Sequence, residues 1–300
     1  MKKAGKIVFS LIMFLLIILN TTIVNASSTK INAPKNVKAS VSGTKDAKVT
    51  WSKVKGAKKY KIYRAKSKKG KYKKVGTSKT TSFVNKNLAR GNTYFYKVVA
   101  NSSKSNSKKS SYAKVKILTK SQVLKKIRNK LKDKKWVKKN VEIKDLEGYS
   151  QTLYFGKIKN KELVAIEAVS QEAGCVQMFL VGYKDGKVVS ASQKNDAMLY
   201  YHGGPSIDLN TGIARIANMT QGWEYNEFYK VKNVKFKMLG TYESTEYMMN
   251  DNLFYKINDK KVSRSKYYSE VSKYSKYDCN SLQIKGGHKL TNSNIDKYIN

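Results

Sequence analysis

The chain has 300 residues, of which 61 are lysine or arginine and 20 are aspartate or glutamate, so its formal net charge at pH 7 is +41. This length accommodates about two domains of ordinary size. So large a charge favours association with polyanions, and the single long apolar run, at the N-terminus, excludes a membrane protein with several spans.

The first 26 residues have the three parts of a secretory signal peptide. Three lysines precede an apolar run over residues 7–24, and the run ends at Val24-Asn25-Ala26, where a small residue suits signal peptidase. An uncleaved anchor is the alternative, because the run approaches the roughly 20 residues that a spanning helix needs. We expect cleavage, which excludes a nuclear or ribosomal role. Three of the 41 excess charges leave with the signal, so the secreted chain carries +38.

Residues 31–118 alternate apolar and polar side chains in short runs. Residues 49–51, 60–64 and 94–98 are examples, and turn residues such as Gly43 and Gly70 separate the runs. Seven such strands, with a turn about every eight to twelve residues, predict an all-β sandwich. The polar segment 101–111 is interpreted as the last hairpin loop.

Four motifs in this segment carry a family resemblance: P-x-N-V-x-A, V-T-W, Y-K-I-Y-R-A and L-x-x-G-x-x-Y-x-Y-x-V. They resemble a bacterial fibronectin type III domain extending from Ile31 to Leu118. The resemblance implies that Trp51 lies in the core and that Leu88 and Tyr94 form the tyrosine corner, in which the phenol bonds to upstream backbone. Arg90 departs from the pattern, because family members often have proline there. The resemblance further implies a spacer or binding module rather than an enzyme.

Positive charge is concentrated in the same segment, which has 25 basic residues between Lys35 and Lys116 and one acid, Asp46. The lysines occupy the outward positions of the strand alternation. Like charges that face each other across strands repel, and a bound polyanion would relieve the repulsion. Wall teichoic acids, anionic lipid headgroups, acidic polysaccharides and released DNA are the polyanions outside a bacterial cell. The alternative interpretation is an ordinary solvated surface, which the even spread of lysines along the sequence favours.

Residues 119–300 predict an α+β domain with an antiparallel meander sheet. Residues 119–121 cap a helix whose apolar stripe is Leu124, Ile127 and Leu131, and we expect it to end at Trp136 and Val137. The opposite face of this helix is rich in lysine. The helix is expected to pack against the following sheet or, alternatively, to lie on an anionic membrane surface. About ten strands follow, which predicts one strongly bent sheet or a partial barrel.

Two helices are predicted near the C-terminus. Residues 260–276 place Val262, Tyr267 or Tyr268, and Val271 on one side of the first, and Thr291 caps the second. The segment YKINDKKVSRSKYYSEV is similar to segments near the ends of uncharacterised secreted Firmicutes proteins, a similarity that implies no activity.

The candidate catalytic residues are Cys175, His202 and Asp208, which could form a Cys–His–Asp hydrolase site if the fold brings them together. A histidine at a loop corner is the alternative interpretation and the one that we favour. The chain has only two histidines, His202 and His288, and no spacing typical of a metal site, so we expect no metal and no cofactor.

Aromatic residues around position 220 suggest a different chemistry. Trp223, with Tyr200, Tyr201 and Tyr225, could stack on sugar rings, or these residues could be ordinary core and cross-strand pairs. Glycosidase chemistry needs two carboxylates on opposite sides of a cleft. The sequence contains acidic residues that could serve, but their spacing does not indicate which two would lie at the required separation. These acidic residues are Glu167, Glu172, Asp208, Glu224 and Glu227.

The two cysteines, Cys175 and Cys279, permit one disulfide in a secreted protein, and two buried thiols remain the alternative.

These features predict a secreted, strongly basic binding or adhesion protein associated with the cell surface or cell wall, and favour a non-enzymatic role. Its expected partner is an anionic cell-wall polymer or polysaccharide. The alternatives are a secreted hydrolase that acts on the wall or on a polysaccharide through residues 119–300, and capture of extracellular nucleic acid.

Overall fold

The computed structural model describes residues 31–144, 146, 148–173, 175–192, 197–198, 204–220, 223–245, 253–275, 284 and 286–300. The predicted signal peptide lies outside these ranges and stays a prediction. Within them, no helix has both the length and the apolar character that crossing a membrane requires.

The first seven strands form the two sheets of a sandwich. They are β1 (Lys38–Ser42), β2 (Asp46–Thr50), β3 (Lys59–Ala65), β4 (Lys73–Ser78), β5 (Ser82–Asn85), β6 (Thr93–Asn101) and β7 (Ala113–Lys116). One sheet has the order β1-β2-β5 and the other β4-β3-β6-β7, and all pairings are antiparallel. This confirms the sandwich that the alternation predicts, with the expected hairpin loop between β6 and β7.

The sandwich core contains the residues that the motifs single out. Trp51 is buried and meets Tyr60 edge to face, with ring centroids 5.2 Å apart. The hydroxyl of Tyr94 accepts a hydrogen bond from the Ala89 amide at 3.1 Å and lies 3.3 Å from the Ala89 carbonyl, beside buried Leu88. This is the geometry of a tyrosine corner, which fixes the chain that crosses between the sheets.

Two helices follow where one was expected. Thr119 caps α1 (Lys120–Leu131) through a capping box with Gln122. The helix ends before Asp133, whose carboxylate accepts from the Trp136 amide at 3.1 Å and so caps α2 (Lys134–Asn140). The expectation of one helix through Val137 is wrong, because aspartate favours a cap over a helix interior.

The remaining strands form two six-stranded antiparallel sheets rather than one bent sheet. They are β8 (Thr152–Lys157), β9 (Leu163–Ser170), β10 (Cys175–Lys184), β11 (Lys187–Ser192), β12 (Ala197–Met198), β13 (Gly204–Asp208), β14 (Ile213–Thr220), β15 (Trp223–Val231), β16 (Phe236–Ser244), β17 (Tyr255–Ile257), β18 (Lys260–Lys261) and β19 (His288–Lys289). The first sheet has the order β11-β10-β9-β8-β19, with β12 also paired to β10, and the second runs from β13 to β18 in chain order. The single-sheet expectation is therefore wrong, while the meander topology is confirmed.

Tight turns join several of these strands. Asp185 and Gly186, both with positive φ, connect β10 to β11, and Asn258 and Asp259 connect β17 to β18 in the same way. Paired positive φ values match the right-handed twist of a hairpin. The second turn shows that Lys260 and Lys261 belong to a strand, so the helix predicted from residue 260 starts later.

The two sheets enclose one core and are covered on their outer faces. On β9, Val164 and Ile166 pack under the helices, while Leu163 and Ala165 face the second sheet. Burial on both faces explains why this strand is almost continuously apolar. Val123, Leu124 and Ile127 of α1 lie in the core under the helices, which excludes the membrane-surface interpretation. The other helices are α3 (Arg264–Ser275) and α4 (Asn292–Tyr298), the latter capped by Thr291 as predicted.

The helix α3 covers the outer face of the second sheet. Tyr267 is buried there against Tyr242 and Tyr255, whereas Tyr268 is 43% exposed. The structure thus selects Tyr267 as the inward residue.

The sandwich contacts the region that follows it through apolar packing and polar bonds, and Val41 of β1 packs against the core under the helices. The Arg90 guanidinium meets the Glu162 carboxylate at 2.6 Å. The Gly43 amide donates to the Asp185 carboxylate at 2.6 Å, and the Asp185 amide donates to the Gly43 carbonyl at 3.0 Å. The division into two domains at residue 118 stays a prediction.

Candidate functional site

The sandwich has a shell of basic side chains with almost no acidic counterpart. All of its 25 basic residues are exposed except Lys61, Arg64, Arg90 and Lys97, which are half-buried. The lone acid, Asp46, accepts a hydrogen bond from the Asn87 amide at 2.8 Å. Among the ion pairs of the described residues, only Arg90–Glu162 involves the sandwich. The positive charge of this surface is therefore almost uncompensated by the protein itself.

Aromatic rings interleave with lysines on the outer face of the sheet β4-β3-β6-β7. The Nζ atoms of three lysines lie over three tyrosine rings, at 5.3 Å for Lys68 and Tyr112, 4.8 Å for Lys97 and Tyr72, and 5.1 Å for Lys109 and Tyr63. We call these six residues the lysine–tyrosine face. Phe95 adds a further ring, 5.6 Å from that of Tyr112.

Strand register brings these residues together from distant parts of the sequence. Tyr60 and Ile62 point into the core, so Tyr63 emerges on the outer face, where it lies opposite Lys97 of β6. Tyr72 precedes the edge strand β4 and Tyr112 precedes the edge strand β7, while Lys68 and Lys109 come from loops. Partial burial and the neighbouring Tyr112 raise the pKa of Tyr72 above its usual value, so its phenol stays neutral.

The outer face of the sheet β1-β2-β5 is basic as well but lacks this arrangement. Lys38 and Lys48 are exposed there, and Lys86 is exposed just after β5. Within the described ranges, no lysine of these three strands lies over an aromatic ring. The two faces of the sandwich therefore differ in how their ammonium groups are held.

Strand β15 carries the second group of candidate residues. The rings of Trp223 and Tyr225 are half-buried and parallel, with centroids 5.8 Å apart. The Trp223 indole donates to Glu243 at 3.0 Å, and Lys256 pairs with the same carboxylate at 2.9 Å. Burial acts to raise the pKa of Glu243, but these two hydrogen bonds outweigh it and hold that pKa below its usual range. Glu243 is therefore an ionised anchor for the indole.

Glu227 anchors two tyrosines of the same strand. Its carboxylate accepts from the Tyr225 hydroxyl at 3.0 Å and from the Tyr229 hydroxyl at 2.7 Å, and the side chain is buried. Burial, and then the Glu227 charge, raise the pKa of Tyr225 to about 12. These bonds give the aromatic residues a role in holding the sheet, and sugar binding by Trp223 and Tyr225 stays a prediction, as it does for Tyr200 and Tyr201, which lie outside the described residues.

The predicted catalytic triad is described only in part. The carboxylate of Asp208 accepts from the Asn210 amide at 2.8 Å and the Thr211 hydroxyl at 2.7 Å, the geometry of a turn-stabilising aspartate. The backbone of Cys175 begins β10, whereas His202 and Cys279 lie outside the described residues. Both the triad and the Cys175–Cys279 disulfide stay predictions.

Glu167 is a buried carboxylate that the sequence suggested by residue type alone. It is fully buried on β9, and its Oε2 atom accepts from the Ile284 amide at 3.0 Å, while Oε1 has no partner in the described structure. Burial raises the pKa of Glu167 to about 8, although the hydrogen bond from Ile284 acts to lower it. The group is therefore protonated at neutral pH.

Two open clefts adjoin the helices, with volumes of about 540 and 550 Å³. The first is lined by residues of α2 and of strands β10 and β11, and the second lies between α1, α2 and α4. Neither is lined by a predicted site residue. No cluster of three or more potential metal ligands occurs among the residues that the structure describes.

The comparisons with known proteins concern the sandwich. A family model described as fibronectin type III domain matches residues 32–116. This part of the chain is a fibronectin type III domain. A comparison with curated proteins finds no match.

Three solved structures named for fibronectin type III domains match part of this chain. An Fn3-like protein from Clostridium thermocellum is 26% identical, over 29% of this chain and 92% of that chain, with a TM-score of 0.28. The protein FN3tt is 22% identical, over 29% and 94%, with a TM-score of 0.27. The fn3 domain of human collagen alpha-1(XX) chain is 18% identical, over 32% and 93%, with a TM-score of 0.26.

The fibronectin type III domain departs from the family pattern at Arg90, and the structure gives a reason. Besides its pair with Glu162, the Arg90 guanidinium donates to the Leu118 carbonyl at 3.2 Å. A proline at this position would remove both interactions. Arg90 thus links the domain to the loop between β8 and β9.

Sequence reasoning missed the lysine–tyrosine face. The lysines are evenly spread along the chain, which favoured an ordinary solvated surface, but the register of the fibronectin type III sheet gathers three of them over rings. The outward positions of Tyr63 and Lys97 were readable from the alternation of β3 and β6. The pairing with loop residues Lys68 and Lys109 was not, because loop geometry is not encoded in that alternation.

Proposed function

We propose that this chain is a secreted, non-enzymatic binding protein whose fibronectin type III domain attaches it to an anionic polymer of the bacterial cell wall. The observation that supports the proposal most directly is the exposed basic shell of the domain, opposed by a single acid. A polyanion that covers this shell relieves repulsion among the lysines and releases its own condensed counterions.

The domain type fits such a role. Fibronectin type III domains act as spacers and binding modules, and the basic surface of this one supplies the attraction without a dedicated pocket. In this proposal the fibronectin type III domain binds the wall and thereby holds residues 119–300 there. The predicted export signal directs the chain to the cell exterior, where wall polymers are the prevailing polyanions.

The test measures binding of the chain without its signal, residues 27–300, to purified cell walls. Intact walls are compared with walls from which the phosphodiester polymers have been removed chemically, at several salt concentrations. We expect binding to intact walls only, weakened at least about tenfold between 50 and 200 mM salt, because salt ions compete with every lysine–phosphate pair. Equal binding to stripped walls, or binding that is insensitive to salt, would contradict the proposal.

A further inference from the structure

The ammonium groups of the lysine–tyrosine face are held in place, unlike ordinary surface lysines. Each of the three lies about 5 Å from a ring centroid, within the range of cation–π attraction. A free lysine side chain loses rotamer entropy when it is fixed. Because the rings already restrict Lys68, Lys97 and Lys109, binding through these groups costs less entropy than binding through the lysines of the opposite face.

The three pairs are spread across the whole sheet. Tyr72 adjoins the edge strand β4, Tyr63 lies on β3, and Tyr112 adjoins the other edge strand, β7. Four strands spaced about 4.8 Å apart span about 14 Å from edge to edge. The face thus presents several separated positive points to one extended ligand, and the nearest acid of the domain, Asp46, belongs to the other sheet.

The same pairs disfavour ligands that bind by ring stacking. Single-stranded nucleic acids bind by laying bases on free aromatic faces. Here each tyrosine already has a lysine ammonium over its ring. The planar guanidinium fork that often recognises nucleic acid is absent from the six residues of the face, and the neighbouring Arg64 is directed to Asn85 and the Tyr94 ring. Lysine provides point charges, which suit isolated phosphates on a flexible chain.

We propose that the lysine–tyrosine face is the binding site for a ring-free polyanion, specifically a polyol-phosphate polymer of the wall, which its ammonium groups bind at successive phosphodiesters. This rests on the proposed function and adds the location and the ligand chemistry. The tyrosines position the ammonium groups and make no stacking contact with the polymer.

The first experiment locates the site with two variants of equal charge. K68Q/K97Q/K109Q removes three lysines from the face, and K38Q/K48Q/K86Q removes three exposed lysines from the opposite side, both in residues 27–300. Binding to purified poly(glycerol phosphate) is titrated as a function of salt, and near-ultraviolet circular dichroism confirms folding.

We expect the first variant to bind at least about tenfold more weakly and its log–log salt slope to become shallower by about 2, at roughly 0.7 for each ammonium group removed. The control variant should change both quantities far less. Equal losses of affinity in the two variants, or no binding of poly(glycerol phosphate) by the unaltered chain, would overturn the inference, whereas the proposed function stands or falls with the cell-wall experiment.

The second experiment tests the ligand chemistry with Tyr112→Leu, which removes a ring and keeps every charge. Removing one cation–π pair predicts a twofold to fivefold weaker affinity, corresponding to about 0.5–1 kcal/mol. The unaltered chain should bind poly(glycerol phosphate) at least as tightly as oligo-dT of equal charge. Tighter binding of oligo-dT, together with an affinity for it that falls more than about tenfold in Tyr112→Leu, would identify base stacking and overturn the polymer assignment.

Discussion

At the scale of single residues, several carboxylates of the described part of the chain hold local structure. Asp46 of β2 accepts from the Asn87 amide after β5, and Asp208 accepts within a turn. Glu227 and Glu243 hold aromatic side chains of β15. Of these four, Asp208 and Glu227 are the carboxylates that the sequence suggested as catalytic candidates, and both hold local structure. Glu167 is the exception, because one of its oxygens is buried without a partner in the described structure.

Glu167 should make the protein less stable as the pH rises. In the unfolded chain its carboxyl ionises near its ordinary pKa of 4.5, whereas burial keeps the pKa of the folded state at about 8. Ionisation therefore stabilises the unfolded chain first, and the free energy of unfolding falls between about pH 4.5 and pH 8. We expect Glu167→Gln to be more stable than the unaltered chain by about 4 kcal/mol at pH 7.5 and to match it closely at pH 4.5.

Urea denaturation at the two pH values measures this effect. Glu172→Gln is the matched control, because Glu172 is exposed and its change should shift stability little at either pH. A stability difference between Glu167→Gln and the unaltered chain that does not change with pH would show that the carboxyl is ionised in the folded state.

At the scale of elements, the sandwich and the following region meet through polar contacts and through Val41, which packs against the core under the helices. The Arg90–Glu162 pair is the main charged one, and its side chains are only 21% and 12% exposed. Such shielding from water makes the pair stronger than an exposed salt bridge, which contributes about 0–1 kcal/mol. It joins the tyrosine-corner segment to the β8–β9 loop.

Breaking this pair should loosen the junction without unfolding the sandwich. We expect Arg90→Gln and Glu162→Gln each to lower the free energy of unfolding by about 1–3 kcal/mol, and the double variant to be destabilised by less than the sum, because the two side chains interact directly. A double-mutant cycle from urea denaturation measures the coupling, and limited proteolysis reports cleavage between residues 116 and 120. The exposed pair Lys130–Asp133 provides a control cycle, in which little coupling is expected. Additive effects for Arg90 and Glu162 would show that the pair contributes nothing.

At the scale of the whole molecule, the main feature is electrostatic repulsion among its positive charges. A chain of net charge +41 in which one segment has 25 bases and one acid repels itself wherever salt is dilute. Repulsion of this kind weakens as the screening length falls, from about 20 Å to about 6 Å between 20 and 300 mM salt.

Salt should therefore stabilise the folded protein. We expect the melting temperature to rise by about 5 °C between 20 and 300 mM sodium chloride, corresponding to about 1–2 kcal/mol for a protein of this size. Differential scanning calorimetry of residues 27–300 measures the shift. The chain with its lysines acetylated is the control, and it should show a much smaller rise. A melting temperature that falls with salt would show that attractive ion pairs outweigh repulsion.

The sequence by itself determined the sandwich, its core and its charge. Alternation with period two places Tyr60 and Ile62 inward, and the tyrosine-corner motif fixes Leu88 and Tyr94, because each pattern is a local consequence of strand geometry. The meander topology and the Thr119 and Thr291 caps were readable for the same reason. Local patterns of this kind depend on neighbours in the chain.

Only the tertiary structure decided the separation of residues 119–300 into two sheets, the inward choice of Tyr267 over Tyr268, and the lysine–tyrosine face. Each depends on contacts between residues far apart in sequence, such as Lys68 over Tyr112. The count of strands does not say where one sheet ends and another begins, because the hydrophobic pattern of a buried strand is the same in either. In this protein the charge was evident from composition, and its arrangement over aromatic rings was set by sheet register and loop geometry.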